Sequence, residues 1–265
     1  MTTGFPRNAV IKALAKADGL RLWLRGELVE VELAQARDMT GFCYGTAGSH
    51  YFVNFLKEYE AKPGRALSDQ SLLNRFYAAY RPDEMPELGS IEQARLAFRG
   101  HPMFATGPRK EVAALQTGAG QALEEERIGD RHWFGPHSAE YIEVEKKRSI
   151  ELYESIKRNG YRPDRFGGGY VRGYFVSDGN QSIFMVVGGH HRMAALSALK
   201  YRRLTCRYQP GFPKVATRED ALRFADRVGA ISREGVDGWF REMFDDAPRS
   251  KQPWLEILRT YGDRP

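Results

Sequence analysis

The chain has 265 residues, 42% of them hydrophobic and 12% aromatic, which excludes a disordered polypeptide and suffices for one large domain or two small ones. The longest purely apolar run, Ile183 to Val187, excludes a membrane span of about 20 residues, and charges from Arg7 to Arg21 leave no apolar core for a signal peptide. The net charge of +6 hides an asymmetry: Lys146 to Lys214 holds 14 Lys/Arg against four acids, so this segment is +10 and implies an anionic partner at one place.

In chain order, Leu20, Leu22 and Leu24 alternate with polar residues, and Val29, Val31 and Leu33 do the same after Arg25-Gly26, which predicts a β-hairpin. After a turn-rich stretch from Thr40 to Gly48, Ser49 is the expected N-cap of a helix carrying Phe52, Phe55, Leu56 and Tyr59, ended by Pro63-Gly64. A second helix carries Leu72, Leu73, Phe76, Tyr77 and Tyr80 and closes at Pro82. Ser90 with Gln93 predicts a third, short helix through Phe98, and His101 to Asp130 includes a long loop.

From Ser138 the signals sharpen. Ser138 caps a long helix to Asn159 with Ile142, Ile150, Tyr153 and Ile156 inward, and Gly160 stands where a C-terminal cap is expected. Two strand-like runs, Tyr170 to Val176 and Ser182 to Val187, join through Asp178-Gly179. A helix from about His190 to Lys200 and a strand from Leu204 to Tyr208 follow. Thr217 with Asp220 predicts a capping box opening a helix to Val228, and a last helical segment carries Val236, Trp239, Phe240, Met243 and Phe244. Neither Cys43 nor Cys206 belongs to a disulfide framework, which points to a reducing, cytoplasmic setting.

The chemistry concentrates after the buried-type strand Ile183 to Val187, which runs into Gly188-Gly189 and then into a helix opening with His190, His191 and Arg192. A helix N-terminus presents backbone N–H groups and the positive end of the helix dipole, glycines admit phosphate oxygens to the backbone, and Arg and imidazole add donors. The stretch is either such a phosphate cradle or a plain tight turn. It is neither a Walker A loop nor a Gly-x-Gly-x-x-Gly fingerprint.

The run Gly189-His190-His191-Arg192-Met193-Ala194-Ala195-Leu196, followed by Leu199-Lys200-Tyr201, resembles the signature of the ParB/sulfiredoxin-like superfamily. The preceding helix Leu152 to Gly160 with Tyr161-Arg162-Pro163 is similar to that family's helix before its central strands, and the resemblance covers roughly Trp133 to Gln209. Two further stretches, Trp133 to Glu140 with Glu145 and Arg148, and Ser49 to Val53 with Ser71 to Tyr77, look like ParB-like proteins associated with surface-polysaccharide gene clusters.

The resemblance implies an α/β (α+β) fold with a small mixed sheet, and a nucleotide phosphate chain bound at the helix start by Gly188, Gly189, His190, His191 and Arg192. It implies a nucleotide-binding core over residues 131–215, between an N-terminal hairpin and helical region (1–130) and a C-terminal helical extension (216–265). The family's activities diverge among CTP-dependent DNA loading, ATP-dependent sulfinic acid repair and serine phosphorylation. His190 stands where sulfiredoxin has its reactive Cys, which argues against repair; the Gly-Glu-Arg-Arg turn of ParB clamps is missing, and Gly188 replaces a frequent Asp.

The expected function is therefore an ATP-dependent (or other nucleotide-dependent) phosphotransferase on a small hydroxyl-bearing metabolite, with Mg²⁺ bridging the phosphates. His190 and Glu140 are the catalytic candidates, Glu140 as base with Glu145 as its alternative; an acid in a first helical turn also simply complements the dipole. A DNA-associated ParB-like regulator or nuclease and a non-catalytic nucleotide sensor are the alternatives. The basic strand with Arg202, Arg203 and Arg207 could touch nucleic acid, although no helix-turn-helix or zinc finger accompanies it.

Overall fold

Alternation along one strand organises the molecule. In the computed structural model, which describes residues 25–81, 135–165, 169–228, 232–245 and 251–262, strand β4 (Ser182–Gly188) sends Ile183 and Met185 to one face of a sheet and Phe184 and Val186 to the other. Both faces are covered, which is why the run reads as continuously apolar. Against Phe184 and Val186 lie the helices α1 (Tyr51–Ala61), α2 (Pro63–Ala66), α3 (Leu72–Ala79), α4 (Ala139–Asn159), α5 (His190–Ala198) and α8 (Gln252–Gly262). Against Ile183 and Met185 lie α6 (Arg218–Val228) and α7 (Arg233–Phe244). The chain thus has the expected α/β architecture, with a mixed six-stranded sheet.

The strands run in the order β1 (Leu28–Glu32), β5 (Arg203–Tyr208), β3 (Arg172–Ser177), β4 and β2 (Ala36–Arg37), with β6 (Val215–Thr217) also paired to β3. The β3–β4 hairpin turns at Gly179, whose φ of +98° needs glycine. Strand β1 pairs antiparallel with β5, placing Val29 opposite Cys206 and Val31 opposite Leu204. Its expected local partner, Leu20 to Leu24, lies outside the described residues, as do the short helix at Ser90, the loop from His101 to Asp130, and His132, Trp133 and Phe134.

Helix α1 starts one residue later than expected: His50, not Ser49, is the N-cap, its Nδ1 accepting from the Phe52 N–H at 3.2 Å. Pro63-Gly64 does not simply end that helix, because Pro63 opens α2 at a position where a missing N–H costs nothing. Helix α4 keeps its expected ends, with Ser138 Oγ accepting from Tyr141 N–H at 3.2 Å and Gly160 at φ +71°. The Thr217/Asp220 capping box closes reciprocally at 2.9 and 3.2 Å. Helix α8 lies within the expected C-terminal helical extension, and the short strands β2 and β6 are additions that no alternation in the sequence announces.

One core spans the three ranges read from the sequence, for it joins Phe42 and Tyr80, Tyr153 and Cys206, and Trp254. An aromatic stack of Tyr51 on Phe76 (4.0 Å between centroids), with Phe42 edge-on to both, carries its N-terminal part. Trp254 is fully buried edge-on to Phe76, and its Nε1–H donates to the Ser49 carbonyl at 2.7 Å. Trp254→Ala should lower the free energy of unfolding by about 3–5 kcal/mol in urea titrations, and a loss below about 1 kcal/mol would contradict this packing.

Candidate functional site

The site forms where β4 hands over to α5. Gly189 adopts φ +90°, and a Cβ there would stand 3.3 Å from both Val171 Cα and Cγ2, so both conformation and space call for glycine. As N-cap it brings no side-chain oxygen to the first-turn N–H groups of α5. The positive end of the helix therefore meets no protein acceptor from its own cap.

Positive side chains gather there. Arg172, at the start of β3, lies over Gly188: a Cβ on that glycine would be 3.1 Å from its Nη2. The Arg172 Nε is buried without a hydrogen-bond partner, and no acid pairs with this guanidinium among the described residues. Burial, then Arg192 and Arg207, holds its pKa below the usual arginine value. Arg192 donates through Nη1 to the Gly169 carbonyl, a neutral partner, and burial lowers its pKa as well. Arg207, by contrast, is matched by Glu27 at 2.9 Å. Gly188, Gly189 and Arg192 thus come together as expected, and Arg172 joins them unannounced, because an arginine opening a strand reads as an ordinary solvated residue.

Part of the rest of the +10 segment is answered within the molecule. Arg203 pairs with Glu32, Lys157 with Glu60, and buried Lys146 binds Glu143 and the Ser68 carbonyl. Glu60, Glu32 and Glu27 of the N-terminal region thereby answer part of the excess that the sequence assigns to an outside anion, and Arg172 and Arg192 stand at the α5 start.

His190 is tied to the fold. Its Nδ1 lies 2.7 Å from the Tyr44 hydroxyl, and burial pushes its pKa down to about 3. Tyr44, whose own pKa burial raises well above the usual value, is the proton donor in that bond. Tyr44 stacks on His50 at 3.9 Å, and His50 Nε2 faces Asp38 Oδ2 at 3.5 Å with both side chains fully buried. Burial alone would raise Asp38, but contacts from His50, Thr40 and the Phe42 N–H outweigh it and hold the carboxyl below its usual range. A neutral imidazole whose Nδ1 is already engaged does not bring the charge expected of it at a phosphate.

His191 has a different partner. Its Nε2 lies 2.7 Å from Oε2 of Glu145, a carboxylate only 5% exposed on the inner face of α4, with Arg148 Nη1 3.9 Å from the other oxygen. Burial works to raise Glu145, but His191, Arg148 and His137 outweigh it and keep the carboxylate ionised. The four described histidines, 50, 137, 190 and 191, therefore share one neighbourhood, with Phe52 packed on His191 at 4.4 Å and near His50 at 5.9 Å. Their scatter along the chain gave no spacing by which to find them.

Glu140 stands apart. It is exposed in the first turn of α4, where bonds to its own backbone N–H and to Ser138 lower its pKa, as an acid at a helix start does. Away from the α5 start, an open groove of about 860 Å³ is lined by Asp178, Arg218, Asp237, Phe240 and Phe244 among others. Among the described residues no group of three His, Cys, Asp or Glu is set for a metal ion, and no helix is long and apolar enough to cross a membrane. No protein-family model, curated protein or solved structure matches this chain.

The buried neutral histidines set a pH dependence. With a folded-state pKa near 3 against about 6.5 unfolded, His190 binds fewer protons in the native state across that window, so stability rises with pH there and is lost as pH falls below about 6.5. His50, also lowered by burial, acts in the same direction. Urea unfolding between pH 4.5 and 7.5 should show this slope. His190→Gln should flatten it by up to about 1.4 kcal/mol per pH unit, and an unchanged slope would contradict the assignment.

Proposed function

We propose that the chain binds the phosphate chain of a nucleotide, ATP foremost, at the start of α5 and transfers a phosphoryl group to a small hydroxyl-bearing metabolite. The observation that carries this reading is the convergence of Arg172 and Arg192 on the Gly188-Gly189 turn, with the Arg172 Nε buried and unpartnered and no acid beside it. A bound phosphate would supply an acceptor for the Arg172 Nε and for the first-turn N–H groups that Gly189 does not cap, with Arg192 beside them. The resemblance of residues 133–209 to the ParB/sulfiredoxin-like superfamily supports the same reading.

Arg172, Arg192 and the first-turn N–H groups of α5 would hold the phosphates, with Gly188 and Gly189 letting them approach the backbone. Mg²⁺, if used, would arrive on the phosphate oxygens and supply charge neutralisation of the leaving group. Glu140 is exposed and His190 is occupied by Tyr44, so a transferase needs another proton acceptor. The pairing of Arg203 with Glu32 and Arg207 with Glu27 reduces what the basic strand offers a duplex, and nucleic acid is the weaker partner. Cys43 and Cys206 form no disulfide, which supports a reducing, cytoplasmic setting.

Isothermal titration calorimetry with ATP, ADP, CTP and GTP, each with Mg²⁺, tests the proposal. Saturable binding of at least one nucleotide is expected, weakened about tenfold or more by Arg172→Ala or Arg192→Ala, as loss of a charge-assisted bond worth about 1.5–3 kcal/mol requires. Absence of binding, or binding indifferent to both substitutions, would overturn it.

A further inference from the structure

We propose that His191, oriented by Glu145, takes the proton of the attacking hydroxyl at the phosphate site, with Glu145 as its positioning residue. The inference rests on the phosphate reading above and supplies the group which that reading lacks.

Glu145 is a costly residue where it stands. It lies on the buried face of α4 between Ile142 and Ser149, where an apolar side chain would pack at no electrostatic penalty. A buried carboxylate requires compensation, and the compensation here is the imidazole at 2.7 Å. A carboxylate is an acceptor only, so the His191 nitrogen facing it, Nε2, carries a proton. The neutral ring then has its lone pair on Nδ1. The Phe52 ring against its face fixes the imidazole's plane, and the side chain remains 15% exposed. A carboxylate holding one ring nitrogen and leaving the other as a base is the geometry of an activated proton acceptor.

Position completes the case. His191 is the second residue of α5 and Arg192 the third, so the imidazole belongs to the same helical turn as the proposed phosphate site. Of the candidates nearby, His190 has its Nδ1 bonded by Tyr44 and Glu140 is turned to solvent, which leaves His191, whose Nδ1 makes no hydrogen bond among the described residues.

The step balances without a further reactant. The acceptor O–H gives its proton to His191 Nδ1, and its oxygen forms a bond to the γ-phosphorus. The bond from that phosphorus to the β–γ bridging oxygen breaks, the nucleoside diphosphate leaves with the electron pair, and the imidazolium returns its proton to solvent. Around His191 stand Glu145 of α4, itself faced by Arg148 and by His137 from the turn before that helix, then His50 from the cap of α1, and His190 and Arg192 from its own helix.

The test uses the full chain with MgATP or MgCTP, and water or glycerol as acceptor. Nucleotide affinity is measured by calorimetry, diphosphate release by a coupled assay, and folding by thermal melting. For His191→Asn and His191→Gln, turnover should fall at least about 100-fold while nucleotide Kd changes less than about threefold. Glu145→Gln should keep nucleotide binding, and the acidic limb of its pH–rate profile should move to lower pH, because the protonated ring has lost its counter-charge. If both His191 variants turn over like the wild type, or Glu145→Gln leaves the pH profile in place, the base assignment is overturned. Binding by the wild type without turnover also overturns it while leaving the phosphate site standing. No binding by the wild type removes the reading beneath it.

Discussion

Positive charge gathered at the start of α5, where Arg172 pairs with no acid among the described residues, is the constraint around which the rest of this molecule is arranged. Burial and then the charges of Arg192 and Arg207 hold the Arg172 pKa down, and the helix dipole adds to the same field. Like charges brought together and partly dehydrated cost free energy unless an anion joins them, so the fold must hold them in place by other means. It does so through the left-handed Gly189 packed against Val171, the bond from Arg192 to the Gly169 carbonyl, and α1 and α4 packed on α5. Elsewhere Glu27, Glu32 and Glu60 pair with Arg207, Arg203 and Lys157, whereas the part-buried Arg172 meets no acid among the described residues.

Distant parts of the chain stiffen that turn through buried polar contacts. Asp38 organises the loop to Phe42 by accepting three hydrogen bonds, and it faces His50, which caps α1 and stacks on Tyr44. Tyr44 in turn bonds His190 at the head of α5. The loop is fastened from the other side by fully buried Lys251, which donates to the Gly41 and Glu242 carbonyls at 2.8 and 3.0 Å, and so ties it to the region between α7 and α8. Such a network rigidifies a site while staying outside its chemistry.

Local signals made much of this legible in the amino-acid sequence. Ser138 and Gly160 bound α4 because caps act within a few residues, and the β3–β4 hairpin, the glycine pair and the opening of α5 are likewise contiguous. What could not be read depends on contacts over long separations. Strand β1 finds β5 from more than 170 residues away, and Tyr44 reaches His190 across 146 positions. His50 outcompetes Ser49 as N-cap because burial beside Asp38 fixes its ring with Nδ1 toward the helix. Within the site, Gly188, Gly189 and Arg192 stood out by adjacency, whereas Arg172 and Glu145 are ordinary residues of a strand and a helix until the fold brings them to the turn.

A phosphate site at the α5 start can be read out by nuclear magnetic resonance of the ¹⁵N-labelled chain titrated with inorganic triphosphate. Saturable shifts largest at the backbone amides of Gly189 to Arg192 and at the Arg172 Nε are expected, since these are the donors an anion would engage. Shifts that do not saturate, or that centre on Arg218 and Arg241 at the groove beside α7, would contradict it.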